Sequence, residues 1–125
     1  MQWIEKNENS KEMLLTIKGQ VPSKSNGYRI ANNRLFKSKE LKEYEEAFAW
    51  QAMKVLQEFN DKFGITMKVY FQSNRSDLDN AAKVILDCLQ TSGIIKNDRN
   101  CWQLQMTKEI DKLNPRIELF IYEIE

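Results

Sequence analysis

The sequence has 125 residues, of which 42% are hydrophobic and 30% charged, and its net charge is +1. This length and composition predict one domain over residues 1–125, and no run reaches the roughly 18 apolar residues that a membrane helix needs. Since the chain has no histidine and only two cysteines, a structural zinc site and a histidine-based triad are excluded, so its chemistry must use carboxylates, lysine, hydroxyls or thiols.

The first third of the chain predicts a strand followed by a long basic loop. Residues 13–18 are β-like, and glycines and a proline interrupt regular structure after them. Between Lys18 and Lys42, seven basic residues stand against one acid, a local net charge of 7 − 1 = +6. Such a segment suits phosphate oxygens, but a solvated loop has the same composition, so charge alone leaves both interpretations open.

The rest of the chain predicts two amphipathic helices and three strands. Apolar residues at spacings of three and four predict a helix over residues 38–60, with Ser38 as its N-cap, and a second helix beginning near Leu78. Alternating apolar residues predict strands over 65–71, 102–106 and 117–121. The element order is β-α-β-α-β-β, so we expect an α+β fold with two main helices and a mixed sheet of about four strands.

The densest polar stretch spans residues 75–83, and Asp98 follows it after one helix length. Asp77 and Asp79 fall where the predicted strand meets the predicted helix, a position at which side chains two residues apart can converge. A capping box of Ser76 and Asp79 is the structural alternative. That alternative accounts for one or two of the acids and leaves Asp98 unexplained.

A cluster of three carboxylates needs a compensating charge. Two carboxylates ~4 Å apart repel by about 4 kcal/mol at an effective dielectric near 20, whereas a helix terminus stabilises each acid by roughly 0.3–1 kcal/mol. Arg75 and Lys83 supply part of the charge, but oxygen ligands without histidine also suit Mg²⁺ or Mn²⁺, so we favour a metal site. Asp87 lies about 12 Å along the helix from Asp79, so we expect it to pair with Lys83 or contact the following loop.

These acids belong to a longer pattern with fixed spacing. The chain carries Asp77-Leu78-Asp79-Asn80, followed by Lys83, Asp87, Leu89, Gly93 and Asp98. This pattern resembles the signature of the RusA-type Holliday junction resolvases, which reads DLDN-x-x-K-x-x-x-D-x-L with a later glycine and a DD pair. Residues 21–23 and Asn26 are similar to the proline-serine-asparagine loop near that family's amino terminus. The DD pair is Asn97-Asp98 here, so an uncharged amide stands beside the third aspartate.

The resemblance implies a Mg²⁺-dependent homodimeric endonuclease that resolves four-way DNA junctions by paired symmetric cuts in recombination and repair. By position, it implies Asp77, Asp79 and Asp98 as metal ligands, and these three with Lys83 as catalytic residues. As a hypothesis, Lys83 orients the attacking water or stabilises the developing negative charge. Asn80 is expected to orient a metal ligand by a hydrogen bond without binding the metal itself. The same role is expected of Asn97.

The same interpretation assigns partners to the basic residues. Phosphate contacts are expected from Lys24, Arg29, Arg34, Lys37 and Arg75. Two symmetric cuts need two acidic clusters, and one chain carries one, so a two-fold dimer is expected. Branched DNA and a second copy of the chain are therefore the expected partners, with no small-molecule cofactor and no membrane.

Two other classes of function stay open. In the first, the protein binds junction or duplex DNA with weak or lost nuclease activity, because Asn97 replaces an acid. In the second, the acids only cap a helix and the chain is an interaction module with a basic loop. Cleavage of a four-way junction in Mg²⁺ separates these classes.

The cysteines and large apolar residues give further expectations. Cys88 and Cys101 are expected to be buried free thiols and not a disulfide, which together with a polar amino terminus indicates a cytoplasmic protein. A place in the core is favoured over an interface for four residues, namely Trp3, Ile4, Trp50 and Trp102.

Overall fold

The computed structural model describes residues 11–23 and 27–125, and a mixed four-stranded sheet forms its centre. In chain order the strands are β1 (Glu12–Lys18), β2 (Tyr28–Ala31), β3 (Arg34–Lys37), β4 (Phe63–Phe71), β5 (Cys101–Ile110) and β6 (Arg116–Glu123). The order across the main sheet is β1-β6-β4-β5. β4 and β5 are parallel, whereas β6 pairs antiparallel with β1 and β4, so the predicted mixed α+β sheet is confirmed.

Two helices, α1 (Lys39–Ala52) and α2 (Leu78–Thr91), accompany the sheet. The predicted N-cap of α1 is confirmed, since the Ser38 hydroxyl accepts a hydrogen bond from the Leu41 N–H at 3.1 Å. α2 connects β4 to its parallel neighbour β5, because parallel strands need a long crossover and cannot be joined by a tight turn. This crossover places the start of α2 at the carboxyl end of β4.

The predicted carboxyl end of α1 is wrong, because the helix ends at Ala52 and not at residue 60. Phe59 keeps the helical spacing in the sequence, but it enters the core as an extended residue that forms a β-bridge with Ile95. Its N–H donates to the Ile94 carbonyl at 2.8 Å, and its own carbonyl accepts from the Lys96 N–H at 3.0 Å. A contact distant in sequence therefore overrides the local apolar periodicity.

The predicted basic loop contains a β-hairpin, which the sequence pattern does not predict. β2 and β3 form a separate two-stranded sheet in which Ala31 pairs with Arg34. Asn32 and Asn33, the two residues between them, have φ values of 51° and 61°. A two-residue turn with both residues left-handed matches the right-handed twist of a hairpin, and asparagine tolerates this conformation.

The core lies between the helices and one face of the main sheet. From β4 it takes every second residue, from Phe63 to Phe71, and from β6 it takes Ile117, Leu119 and Ile121. Helix α1 adds Leu41, Tyr44, Phe48 and Ala52, and α2 adds Ala81, Val84, Ile85, Cys88 and Leu89. β5 lies at the sheet edge and has no fully buried residue, so its side chains are only partly covered.

The core positions predicted for two tryptophans are wrong. Trp50 is 75% exposed, because it lies two residues after buried Phe48 and so points away from the core side of α1. Trp102 is 64% exposed on the edge strand β5, where the Lys62 ammonium lies 4.3 Å from the ring centre. Trp3 and Ile4 lie outside the described residues.

Both cysteines are free thiols, as predicted. Cys88 is buried in the core, which raises the pKa of its thiol to about 12, and Cys101 is half-buried. Among the residues that the structure describes, no helix has the length and apolar character needed to span a bilayer.

Candidate active site

Asp77 and Asp79 lie at the first turn of α2, where the chain leaves the carboxyl end of β4. Asp77 is the N-cap residue, with extended backbone angles, but its side chain makes no capping hydrogen bond. The structural alternative, a capping box of Ser76 and Asp79, does not form, because helix α2 begins one residue later than that motif requires. Both carboxylates are exposed at the positive end of the helix dipole.

The loop that carries these aspartates is fixed by Lys108 of β5. Its ammonium donates to the carbonyl oxygens of Asn74 and Ser76, both at 2.6 Å. On the other side of the loop, the Gln72 N–H donates to the Gln20 side-chain oxygen at 2.8 Å. The sequence pattern does not predict this role of Lys108. One signal was available, because Lys108 is the charged residue among the β5 side chains that face the helices.

Asn80 connects α2 to the segment that leads to the hairpin. Its side-chain amide donates to the Pro22 carbonyl at 2.8 Å. The predicted role of Asn80, to orient a metal ligand, is untested by this contact. The bond brings the proline-serine segment against the first turn of α2, next to Asp79, so both parts of the predicted signature meet at one place.

Lys83 and Asp87 follow Asp79 at intervals of four residues, so all three lie on the exposed face of α2. The expected ion pair between Lys83 and Asp87 is not among those formed within residues 11–23 and 27–125. Partial burial raises the pKa of Asp87, and the nearby negative charge of Asp98 raises it further. Asp87 therefore lies near the loop after α2, which is the other expectation for this residue.

Asp98 lies at the opposite end of α2 from Asp77 and Asp79. Its N–H donates to the side-chain oxygen of Gln90, in the last turn of the helix, at 3.0 Å. Eleven residues separate Asp79 from Gln90, so their α-carbons are about 16 Å apart along the axis. In the described part of the chain, no group of three or more histidine, cysteine, aspartate or glutamate side chains could hold a metal ion. A single chain thus presents two aspartates at one end of α2 and the third at the other.

Asn97 begins the short 3₁₀ helix Asp98–Asn100. Its side-chain oxygen accepts a hydrogen bond from the Arg99 N–H at 3.0 Å, which caps this turn. The amide therefore has a local structural contact next to Asp98. Its predicted role, to orient a metal ligand, stays a prediction.

The predicted DNA-binding residues differ in their surroundings. Arg29 and Arg34 lie on the exposed hairpin, and within the described residues neither forms an ion pair. Lys37 donates to Glu45 at 2.8 Å, so its charge is largely compensated within the protein. Arg75 lies in the loop before Asp77. Lys24 is outside the described residues.

A cleft of about 700 Å³ opens beside the loop that carries Asp77. Its walls are residues 18–20, 22–23 and 72–73, Arg75, Ser76 and one side of α1. Lys18 and Arg75 bring positive charge to the cleft, while Glu40 and Glu43 bring negative charge from α1. The mixed charge gives the cleft no preference for a polyanion, in contrast to the hairpin.

A known protein family matches most of the chain. The family described as Endodeoxyribonuclease RusA matches residues 19–122, which cover both helices, strands β2 to β5, nearly all of β6 and every described acid of the site. The chain belongs to the RusA endodeoxyribonuclease family. No curated protein matches the sequence. The resemblance of the acidic signature to RusA-type nucleases is thereby confirmed for most of the chain.

Proposed function

We propose that this RusA-family protein is a Mg²⁺-dependent endonuclease that resolves four-way DNA junctions, with Mn²⁺ as a possible substitute. The observation that carries the proposal is that Asp77 and Asp79 are exposed and that helix capping does not explain them. Both are exposed at a helix start, yet the N-cap carboxylate makes no capping bond, so capping does not account for them. Family membership supports nuclease activity, and paired carboxylates followed one turn later by Lys83 suit a divalent cation beside a phosphate.

The cation would be held by Asp77 and Asp79 together with Asp98. Since Asp98 lies beside the last turn of α2, the three side chains do not meet within the described part of one chain. We propose that the protein is a homodimer in which Asp98 of one copy completes the site of the other. Two copies related by a two-fold axis would then form two identical sites, as paired cuts require.

The edge of the main sheet supports one arrangement of this dimer. β5 pairs only with β4 in the described structure, so its other side presents unpaired backbone groups over ten residues. The amino end of β5 follows Asp98, and near its carboxyl end Lys108 holds the loop before Asp77. If two β5 strands pair antiparallel, the Asp98 end of one copy lies beside the Asp77 end of the other.

Apolar side chains along β5 support the same arrangement. Trp102, Leu104 and Ile110 lie on the side of β5 that faces the helices, and they are 64%, 44% and 51% exposed. The adjacent flank of α2 carries Ala82 and Leu86, which are half-buried. A row of this kind on an edge strand is unfavourable in a monomer and is covered when a second sheet continues the first.

A junction-cleavage assay tests the nuclease. The protein is incubated with an end-labelled four-way junction in Mg²⁺ or in EDTA, with Asp79→Asn as the matched variant. We expect nicking only by the parent and only with Mg²⁺. Junction binding without cleavage by parent and variant alike would instead support the second candidate, a junction-binding protein with lost activity, for which Asn97 is the supporting observation. Failure to prefer the junction over linear duplex would refute the resolvase assignment.

A mixing experiment tests the shared site. Asp79→Asn and Asp98→Asn are each expected to be inactive, but a mixed dimer contains one site with both aspartates intact if Asp98 crosses to the other copy. Co-refolding the two variants should therefore restore nicking of one strand. If every site is built within one chain, each chain of the mixture is defective and no nicking returns, which would exclude the shared arrangement while leaving the nuclease itself intact.

The interface is tested by charge substitution. Trp102→Glu should shift the protein to monomer in sedimentation experiments and abolish cleavage. Leu14→Glu is the matched control, because Leu14 is 80% exposed on β1, the opposite edge of the sheet. An unchanged dimer in Trp102→Glu would exclude the β5 edge as the interface.

A further inference from the structure

The β2–β3 hairpin has apolar side chains that the protein does not cover. Ile30 is 79% exposed, Leu35 67% and Phe36 47%, and most of both strands is exposed on both faces. Ile30 and Leu35 are directly paired across the two strands, so they form one continuous apolar surface. A two-stranded ribbon without packing is marginally stable in water. Exposed apolar residues on such a ribbon indicate contact with another molecule.

The charge of the hairpin indicates which molecule that is. The segment from Tyr28 to Lys37 contains three basic residues and no acid. Arg29 and Arg34 lie on the face that also carries Phe36, opposite the face of Ile30 and Leu35, because side chains alternate along a strand. Cationic groups on one face and an apolar pair on the other match a nucleic acid, which offers phosphates and base surfaces within a short distance.

The base of the hairpin is anchored near the candidate active site. The Ser38 N–H donates to the Gly27 carbonyl at 2.8 Å, which closes the ribbon at the start of α1. Lys37 is bound to Glu45 and acts electrostatically on Asp87 of α2. The base of the ribbon therefore lies near Asp87, about two turns of α2 after Asp79.

We propose that the hairpin inserts at the branch point of the DNA junction, where Ile30 and Leu35 stack on exposed base pairs while Arg29 and Arg34 contact the flanking phosphates. This proposal rests on the proposed function and adds to it a means of recognising branched DNA. A continuous duplex has no unstacked base-pair face, so insertion there requires unstacking, whereas a branch point offers such faces at lower cost. The apolar pair therefore favours the junction, and the arginines favour any DNA.

The test compares Ile30→Ser/Leu35→Ser with the parent on two DNA probes, a four-way junction and a linear duplex of the same arm sequence, with EDTA present to prevent cleavage. The serine variants remove the two aliphatic wedge side chains from the base-pair face, so we expect the junction-to-duplex affinity ratio to fall about tenfold. Duplex binding should stay within about twofold. Leu113→Ser is the matched control, because Leu113 is 95% exposed in the turn between β5 and β6 and lies outside the hairpin.

A second measurement reports insertion directly. With 2-aminopurine at the branch point, the parent and Leu113→Ser should change the fluorescence on binding, and the double variant should leave it near the free-DNA value. An unchanged affinity ratio and fluorescence change in the double variant would overturn the insertion while leaving the nuclease proposal intact. Loss of the dimer in the double variant, measured by sedimentation, would assign the apolar pair to a protein interface and also overturn it. If the parent binds junction and duplex equally, both proposals fail.

Discussion

The hairpin and its neighbours allow a quantitative prediction about salt. Arg29 and Arg34 are exposed and form no ion pair within the described residues, whereas Lys37 is bound to Glu45 at 2.8 Å, a hydrogen bond that raises the lysine pKa. Each phosphate contact changes the slope of log K against log salt by about 0.9. Arg29→Gln and Arg34→Gln should therefore each reduce the slope by about 0.9, and the double variant by about 1.8.

The same arithmetic gives the size of the effect in an assay. We compare the loss of affinity between 50 and 200 mM salt, roughly the range in which such proteins are measured. Over this range the affinity of the parent should fall by a factor about 12 times larger than that of the double variant. Fluorescence anisotropy with a labelled junction, at four or five KCl concentrations in EDTA, measures the slope. Lys37→Gln is the matched control, because it removes the same formal charge. Its slope should change by much less than the roughly 0.9 expected for one phosphate contact. A slope change in Lys37→Gln equal to that in Arg29→Gln would refute the argument from uncompensated charge.

Three further predictions concern stability and the metal. A Cβ at Gly64 would overlap the ring of Tyr122, so Gly64→Ala should reduce the free energy of unfolding by about 1–3 kcal/mol in urea titration. The hydrogen bond from Arg116 lowers the pKa of Asp111, so the stability that it provides at neutral pH should be lost as pH falls below about 4; Arg116→Gln should flatten this part of the melting-temperature profile. Asn97→Asp should tighten Mg²⁺ binding by up to about tenfold in calorimetry, because in water a unit negative charge at an assumed separation of about 6 Å stabilises a divalent ion by about 1.4 kcal/mol before screening.

Local chemistry made the start of α2 predictable. Asp77 and Asp79 were placed correctly at a strand-to-helix junction, because alternation in β4 and helical spacing in α2 are both properties of short segments. The capping alternative misses by one residue, since Asp77 and not Ser76 is the N-cap. The two candidates differ by one position, and local propensity does not separate them.

The features that were missed depend on contacts distant in sequence or on exposure. Phe59 left the helical pattern because it pairs with Ile95. Trp102 is exposed because β5 is an edge strand, which follows from the strand order and not from its own alternation. The sequence predicts a loop where the hairpin forms, because most of its residues are exposed on both faces and no alternation marks them. The paired asparagines at positions 32 and 33 are the one signal of a hairpin turn.

Asn97 is where the chain departs from its family's signature, and its contact indicates what the departure affects. The side-chain oxygen is already used to cap the 3₁₀ turn through the Arg99 N–H at 3.0 Å, and an aspartate could accept the same bond. An acid at this position would therefore act on the site mainly through its charge, with its capping oxygen directed at the backbone. The amide removes that charge beside Asp98 and keeps the turn that positions it. We therefore expect the amide to lower the affinity for Mg²⁺, and a higher Mg²⁺ concentration should compensate for this loss. A resolvase that cuts the junction at high Mg²⁺ is the expected behaviour, and complete inactivity at saturating Mg²⁺ would contradict this explanation.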